Sequence, residues 1–342
     1  MTRRRRASIV AAMWEFWNQW ESLTILAAAL ALDALFGEMG MLFRLLPHPV
    51  EAMGRLIGAL DRKLNKPERG EGARFWRGVF AVAMLVGAAG GLGWLIATLA
   101  RGIPGGWMIE AFLVATLLAQ RSLYDHVAAV GWALHNDGLA GGRRAIRHIV
   151  SRDPASMDEH GIARAGLESL SENFADGVVA PVFWYAVAGL PGMLAYKAIN
   201  TADSMIGYRS EKYRAFGKAA ARADDVANWI PARLAGLITA AAAALSGNDW
   251  ARALRIMWRD ASTHASPNAG WPEAAFAGAL GLALGGPRTY PGQGTKEHWI
   301  GGDGKRKYGP GGIRRGLKLY VWACGVNAAV GLGVLAVRVW LF

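Results

Sequence analysis

ESLSENFADGVVAPVFWYAVAGLPGMLAYKAINTADSMIGYRSEKYRAFGKAAARADDVANWIPAR, residues 168–233, decides how the rest of the chain is read. It opens on an acidic and amide cluster, Glu168, Glu172, Asn173 and Asp176, and then runs almost without charge from 177 to 196. Polar residues return at Lys197, Asn200, Asp203, Ser204, Tyr208, Arg209 and Glu211, and Asp224, Asp225, Asn228 and Arg233 close the stretch. Carboxylates set one or two turns inside apolar runs are unusual, because burying an unpaired charge costs several kcal/mol. The stretch therefore reads as helices at a membrane boundary that carry a polar site.

The surrounding chain supports this. Of its 342 residues 53% are hydrophobic and only 19% charged, against a usual charged share of roughly 25%. Its 44 glycines and 15 tryptophans suit membrane helices and their interfaces, and its mean hydropathy is +0.18. The net charge of +12 is dispersed, which fits anionic lipid and an anionic substrate, with no nucleic acid among the expected partners. A single cysteine, Cys324, excludes an intrachain disulfide and a cysteine zinc cluster. No phosphate-loop, dinucleotide-binding, nucleophile-elbow or HExxH motif is present.

The predicted fold is all-α, a multi-pass integral membrane protein with about five membrane helices plus amphipathic cytoplasmic helices, forming one catalytic domain over 1–342. Apolar runs lie at 23–36 (interrupted by Asp33), 78–100, 107–118, 178–196, 233–247 and 318–337. The run at 107–118 is expected to continue as one helix past Arg121, and 178–196, with Pro181 and Pro191, to be a kinked span or a re-entrant element. Residues 1–20 read as a basic amphipathic extension held inside by its arginines. Residues 50–64 form an interfacial helix after Pro47-His48-Pro49, and 121–172 a polar cytoplasmic segment with a capping box at Ser156 and Glu159. Residues 250–258 form a basic amphipathic helix, and 285–317 a Gly-rich polar loop.

Glu168, Glu172 and Asp176 follow at i, i+4 steps and share one helix face. Like charges so spaced destabilise a helix. Either the face is solvated or a cation compensates, and Mg²⁺ suits carboxylate, water and phosphate oxygens. Asp225 and Asn228 also face together, as caps and ion pairs or as a second metal or substrate patch.

Several long blocks carry a resemblance. They are LDALFGE and LPHPVEAMGRLI within 32–57, RSLYDHV at 121–127, ARAGLESLSENFADGVVAPVFW at 163–184, the stretch from 196 to 233, and RDASTHASPNAGWPEAAFAGALG at 259–281. Through them the chain closely resembles the CobD/CbiB family of cobalamin biosynthesis, the membrane-bound adenosylcobinamide-phosphate synthases. The extension through Trp20, and Glu38-Met39 where the family more often has Asp-Pro, depart from the pattern. The resemblance implies an inner-membrane, ATP- and Mg²⁺-dependent enzyme. It joins aminopropanol or its O-phosphate to the f propionate carboxylate of adenosylcobyric acid, through an acyl phosphate or an acyl adenylate. Other late vitamin B12 enzymes are its expected partners.

Sorting the polar residues of these blocks by chemistry gives the expected site. Glu168, Glu172, Asp176 and Asp225 hold Mg²⁺. Lys197, Arg209, Lys212 and Arg233 neutralise phosphate, and Asn173, Asn200 and Asn228 orient substrate or nucleotide. Arg259, Ser266 and Asn268 complete the site from the later loop. His48 and His264 are the candidate bases, and Tyr208, Trp184 and Trp229 stack on the corrin. A corrin-binding scaffold or a transporter without ligase activity is the alternative, although the inverted repeats of many transporters are not found.

Overall fold

The computed structural model describes residues 21–37, 48–150, 153–290 and 294–341. The expected extension at 1–20, Glu38-Met39 and Pro47 lie outside these. In chain order the elements are α1 (21–36), α2 (Pro49–Leu64), α3 (Glu71–Arg101), α4 (Trp107–Leu117), α5 (Gln120–Asn136), α6 (Gly138–Ile146) and α7 (Glu159–Phe174). A π turn over Ala175–Val179 leads into α8 (Ala180–Ile206), followed by α9 (Lys218–Ala227), α10 (Trp229–Leu245), α11 (Trp250–Asp260) and α12 (Gly270–Leu280). A hairpin of β1 (Leu284–Tyr290) and β2 (Gly294–Ile300) precedes α13 (Pro310–Leu341). The chain divides into two compact units, one of 1–118, 181–220 and 328–342, the other of 119–180 and 221–327.

In the first unit, α2 begins where the sequence requires it. Pro49 occupies the first turn, and His48 caps the helix by accepting the Val50 N–H at 3.2 Å. The 31 residues of α3 rise about 46 Å, more than the roughly 30 Å of a bilayer core. Its packing is inverted relative to a soluble helix. Phe80, Leu92, Trp94 and Leu99 are exposed, while Gly78, Ala81 and Gly93 are buried. Large side chains face lipid, and small ones let backbones meet. A Cβ on Gly78 would lie 2.0 Å from the Phe216 carbonyl oxygen, and one on Gly93 2.8 Å from Pro191 Cα. Within α8 the helix breaks at Ala188 and Gly189 (φ 62°, ψ −158°). The turn is sharp, since a Cβ on Gly192 would come within 2.8 Å of the Trp184 carbonyl oxygen, eight residues back.

The second unit packs α5, α7, α10, α11, α12 and the start of α13 around Phe174, whose ring stands edge-on to Phe276 (6.3 Å) and Tyr320 (5.7 Å). Every residue of α12 from Ala274 to Leu280 is buried. The helix ends on left-handed Gly281 (φ 64°). The hairpin is antiparallel, with Leu284 opposite Ile300 and Gly285 opposite Trp299. A carboxylate grips each strand at its root. Glu168 Oε1 accepts the Gly285 N–H at 2.8 Å, and Asp260 Oδ2 accepts the Gly301 N–H at 2.7 Å.

Several expectations change. Among the described residues three helical runs are long and apolar enough to cross a membrane, 71–101, 159–206 and 310–341, or four if α9 and α10, bent by 45°, count as one span. Two of the expected runs fall short of spanning: the 16 described residues of α1 rise only about 24 Å and the 11 of α4 about 16 Å. The chain remains a helical, multi-pass membrane protein. The single helix expected through 107–121 is two helices, α4 and α5, because Leu118 is extended and Ala119 donates its N–H to Gly177 O at 3.1 Å. The Gly-rich stretch forms a hairpin. At α7 the cap is Asp158, which accepts the Gly161 N–H at 2.7 Å, while Ser156 belongs to a short 3-10 turn.

Candidate active site

The densest polar network lies in the second unit, where the loop after α11 meets the start of α10. Asn228 interrupts the path from α9 to α10, is 1% exposed, and donates through Nδ2 to Asp224 Oδ2 at 3.0 Å. One turn on, Arg233 donates to Asn268 Oδ1 and to Trp229 O, both at 2.8 Å. Its guanidinium lies over the rings of Trp229 and Trp271, 4.6 and 4.7 Å from their centroids. Asn268 Nδ2 donates to the Asp225 carbonyl at 2.8 Å, so one buried amide joins α9, α10 and the loop. The loop is then tied to itself. Ser266 Oγ accepts the backbone N–H groups of Asn268 and Ala269, each at 3.2 Å, and Ser266 N–H donates to His264 Nδ1 at 3.0 Å. That bond puts the imidazole proton on Nε2, which faces Glu273 Oε2 at 3.5 Å.

Both ring nitrogens of His264 thus face protein groups. Glu273, 2% exposed, was missed. In the sequence it looks like an ordinary acid in the first turn of a helix. Arg259 is also committed. It makes two bonds to Asp260, at 2.6 and 2.9 Å, and one to Asp303 at 3.0 Å. Burial pushes the Asp260 pKa up, but the bonds from Arg259 and the Gly301 N–H outweigh it and hold the carboxyl below its usual range.

The acidic face of α7 is not a preformed metal centre. Glu168 is buried against Gly285, Glu172 is exposed, and Asp176 is half-buried in the π turn. Among the described residues no three His, Cys, Asp or Glu side chains gather to hold a metal ion. Glu168 was drawn away because a buried backbone N–H at the hairpin root needs an acceptor. Asn173, beside them and exposed, donates to Ser169 O and Oγ.

In the first unit, Lys197 and Asn200 stand one turn apart on α8, both half-buried, with Asp203 one turn further. Arg209 is exposed in the following loop. Lys212 holds Asp61 Oδ2 at 2.7 Å and Tyr213 Oη at 2.8 Å, and these bonds raise its pKa. It thus ties the loop to α2 and does not present an open cation. His48 is occupied as the α2 cap.

The model of the CobD/Cbib protein family matches residues 26–320. A cobalamin biosynthesis protein CobD from Sinorhizobium sp is 48% identical over 315 residues, covering 91% of this chain and 98% of the relative. Proteins of the same description from Brucella suis biovar 1 (46% identical, 94% and 98% covered) and Rhodobacter capsulatus (44%, 90% and 96%) match as well. No solved structure matches. Matched over residues 26–320 and at this level of identity, the chain belongs to the CobD/CbiB family.

Proposed function

We propose that this chain acts in cobalamin biosynthesis as one catalytic domain of the bacterial inner membrane. It forms the amide between the amino group of aminopropanol, or of its O-phosphate, and the f propionate carboxylate of adenosylcobyric acid. The observation that carries this is coverage. The family match takes in both units, and the relatives align over nearly their whole length. About five membrane crossings, including α1, and contact with other late enzymes of the pathway belong to the same reading.

Amide formation from a carboxylate and an amine needs the carboxylate oxygen turned into a leaving group, which ATP supplies at its own consumption. Mg²⁺ would reach the site with the nucleotide and needs only one or two carboxylates beside phosphate and water. Glu172, Asp176 and Asp225 remain the candidates. The described residues do not form a resident metal cluster. The protein's tasks are to hold the corrin carboxylate and the amine together, exclude water and take up the amine's proton. In the first unit Lys197, Asn200 and Arg209 are the candidate cationic and amide groups for anionic substrate; in the second, Asn228 and the Arg233–Asn268 pair form a rigid polar group of their own. His264, backed by Glu273, holds the loop that carries Ser266 and Asn268. Trp229 of the second unit, which is largely exposed, offers an aromatic face for the corrin, and Trp184 and Tyr208 are the aromatic candidates of the first unit.

Purified protein in detergent with adenosylcobyric acid and Mg·ATP tests this, with aminopropanol and aminopropanol phosphate in separate reactions. Amide product by mass spectrometry, matched by ADP or AMP, is the expected result. Folded protein that forms no amide and cleaves no nucleotide with either amine refutes it and leaves a scaffold or transporter.

A further inference from the structure

The second unit holds a cationic cluster that takes no part in the network above. Trp299, at the end of β2, has the guanidinium of Arg164 from α7 at 4.8 Å from its ring centroid and that of Arg306 at 4.7 Å. Arg164 also reaches the Arg306 carbonyl at 3.5 Å. The indole is seated on Gly286, which has φ +87° and where a Cβ would lie 2.8 Å from the ring. Only glycine fits there, on both counts. Lys305 and Lys307 flank Arg306 and are exposed.

Two like charges fixed on one ring repel each other, and a protein normally answers them with a carboxylate. This one does so nearby, where Asp303 pairs with both Arg252 and Arg259. Among the described residues no carboxylate pairs with Arg164 or Arg306. The cation–ring contacts orient both guanidiniums without neutralising either. A compact anion of multiple charge would neutralise both, and a triphosphate has the length to reach from one guanidinium to the other, since their ring distances of 4.8 and 4.7 Å hold them within about 9.5 Å of each other.

We propose that Arg164 and Arg306, held on the indole of Trp299, form a binding site for a soluble polyphosphate anion of the kind a nucleotide carries. The site stands on this geometry. That its ligand is the nucleotide consumed in amide formation rests on the function proposed above.

The test uses the full chain in detergent, with inorganic tripolyphosphate, ATP and adenosine as separate probes, and with nanodiscs containing phosphatidylglycerol. Tripolyphosphate and ATP are expected to compete for one site, adenosine to bind far more weakly, and binding to weaken as salt rises. Arg164→Gln and Arg306→Gln are each expected to weaken tripolyphosphate binding by about tenfold or more, as loss of a charge-assisted contact does. Arg306→Lys, which keeps the charge, should lose less. Wild-type affinity in both glutamine variants, with thermal midpoints unchanged, overturns the proposal and leaves the stack as a clamp on the hairpin. Binding of phosphatidylglycerol but not of tripolyphosphate also overturns it. The amide assay separates the two readings. If the wild type forms amide while both variants keep its KM for ATP, this site is wrong and the function stands. If the variants lose tripolyphosphate and the wild type forms no amide, the site stands and the function fails.

Discussion

Replacing Asn268 by alanine should uncouple three elements at once. Its side chain accepts from Arg233 and donates to the Asp225 carbonyl, both at 2.8 Å, and it is 5% exposed. A hydrogen bond to a charged group contributes about 1.5–3 kcal/mol and a neutral one about 1. Loss of both costs about 2.5–4 kcal/mol, because neither partner gains water easily in a buried site. For a domain of this size that corresponds to a fall in the thermal midpoint of roughly 5–15 °C. Asn268→Asp separates the two bonds. It keeps the acceptor for Arg233 and loses the donor to Asp225, so it should fall between wild type and alanine. Thermal unfolding in detergent and the amide-forming assay, run on both variants, read the two effects. Asn268→Ala with a midpoint and turnover like wild type would show that the amide does not hold α9, α10 and the loop together, and the site reading built on it would fall.

Asp260→Asn should loosen the root of the hairpin, by about 1.5–3 kcal/mol for the buried bond to Gly301 N–H and little for the half-exposed Arg259 pair. Because the Asp260 carboxyl is held below its usual range, its contribution is complete above its unfolded pKa of about 3.9 and is lost as pH falls through the lower folded value. Wild type should therefore lose stability on acidification below about pH 4 more steeply than Asp260→Asn; parallel curves would contradict the assignment. Gly78→Ala should destabilise the first unit by about 1–3 kcal/mol or more, as overpacking does, since the new methyl has Phe216 O in its place. An unchanged thermal midpoint would mean that α3 and the loop at Phe216 do not meet backbone to backbone.

How far the sequence could be read depended on where its signals lay. The 3.6-residue spacing from Val50 to Leu64 and the charge-free run of α3 were legible because periodicity and length are local properties. The hairpin was not, since its glycines look like loop residues until Glu168 and Asp260, 117 and 41 residues away in sequence, accept its root amides. The break between α4 and α5 carries neither glycine nor proline; it is imposed by a bond from Ala119 to Gly177. Asn228, Arg233 and Asn268 were named as polar residues of the blocks that carry the resemblance, and the structure brings Arg233 and Asn268 together. Glu273 was overlooked because an acid in a first helical turn needs no explanation. Lys212 and Arg259 were over-read for the opposite reason. Sequence shows a cation but not the Asp61 or Asp260 that already holds it.

The break in α8 bears on how the protein is made. By hydrophobicity summed over about 19 residues, the segment around 180–198 reads as a single span. The mature chain instead turns there, at a glycine whose dihedrals other residues avoid, with Pro191 set against Gly93. Synthesis completes α3 nearly ninety residues before the turn. The helix against which Pro191 packs is therefore made before the turn that carries it.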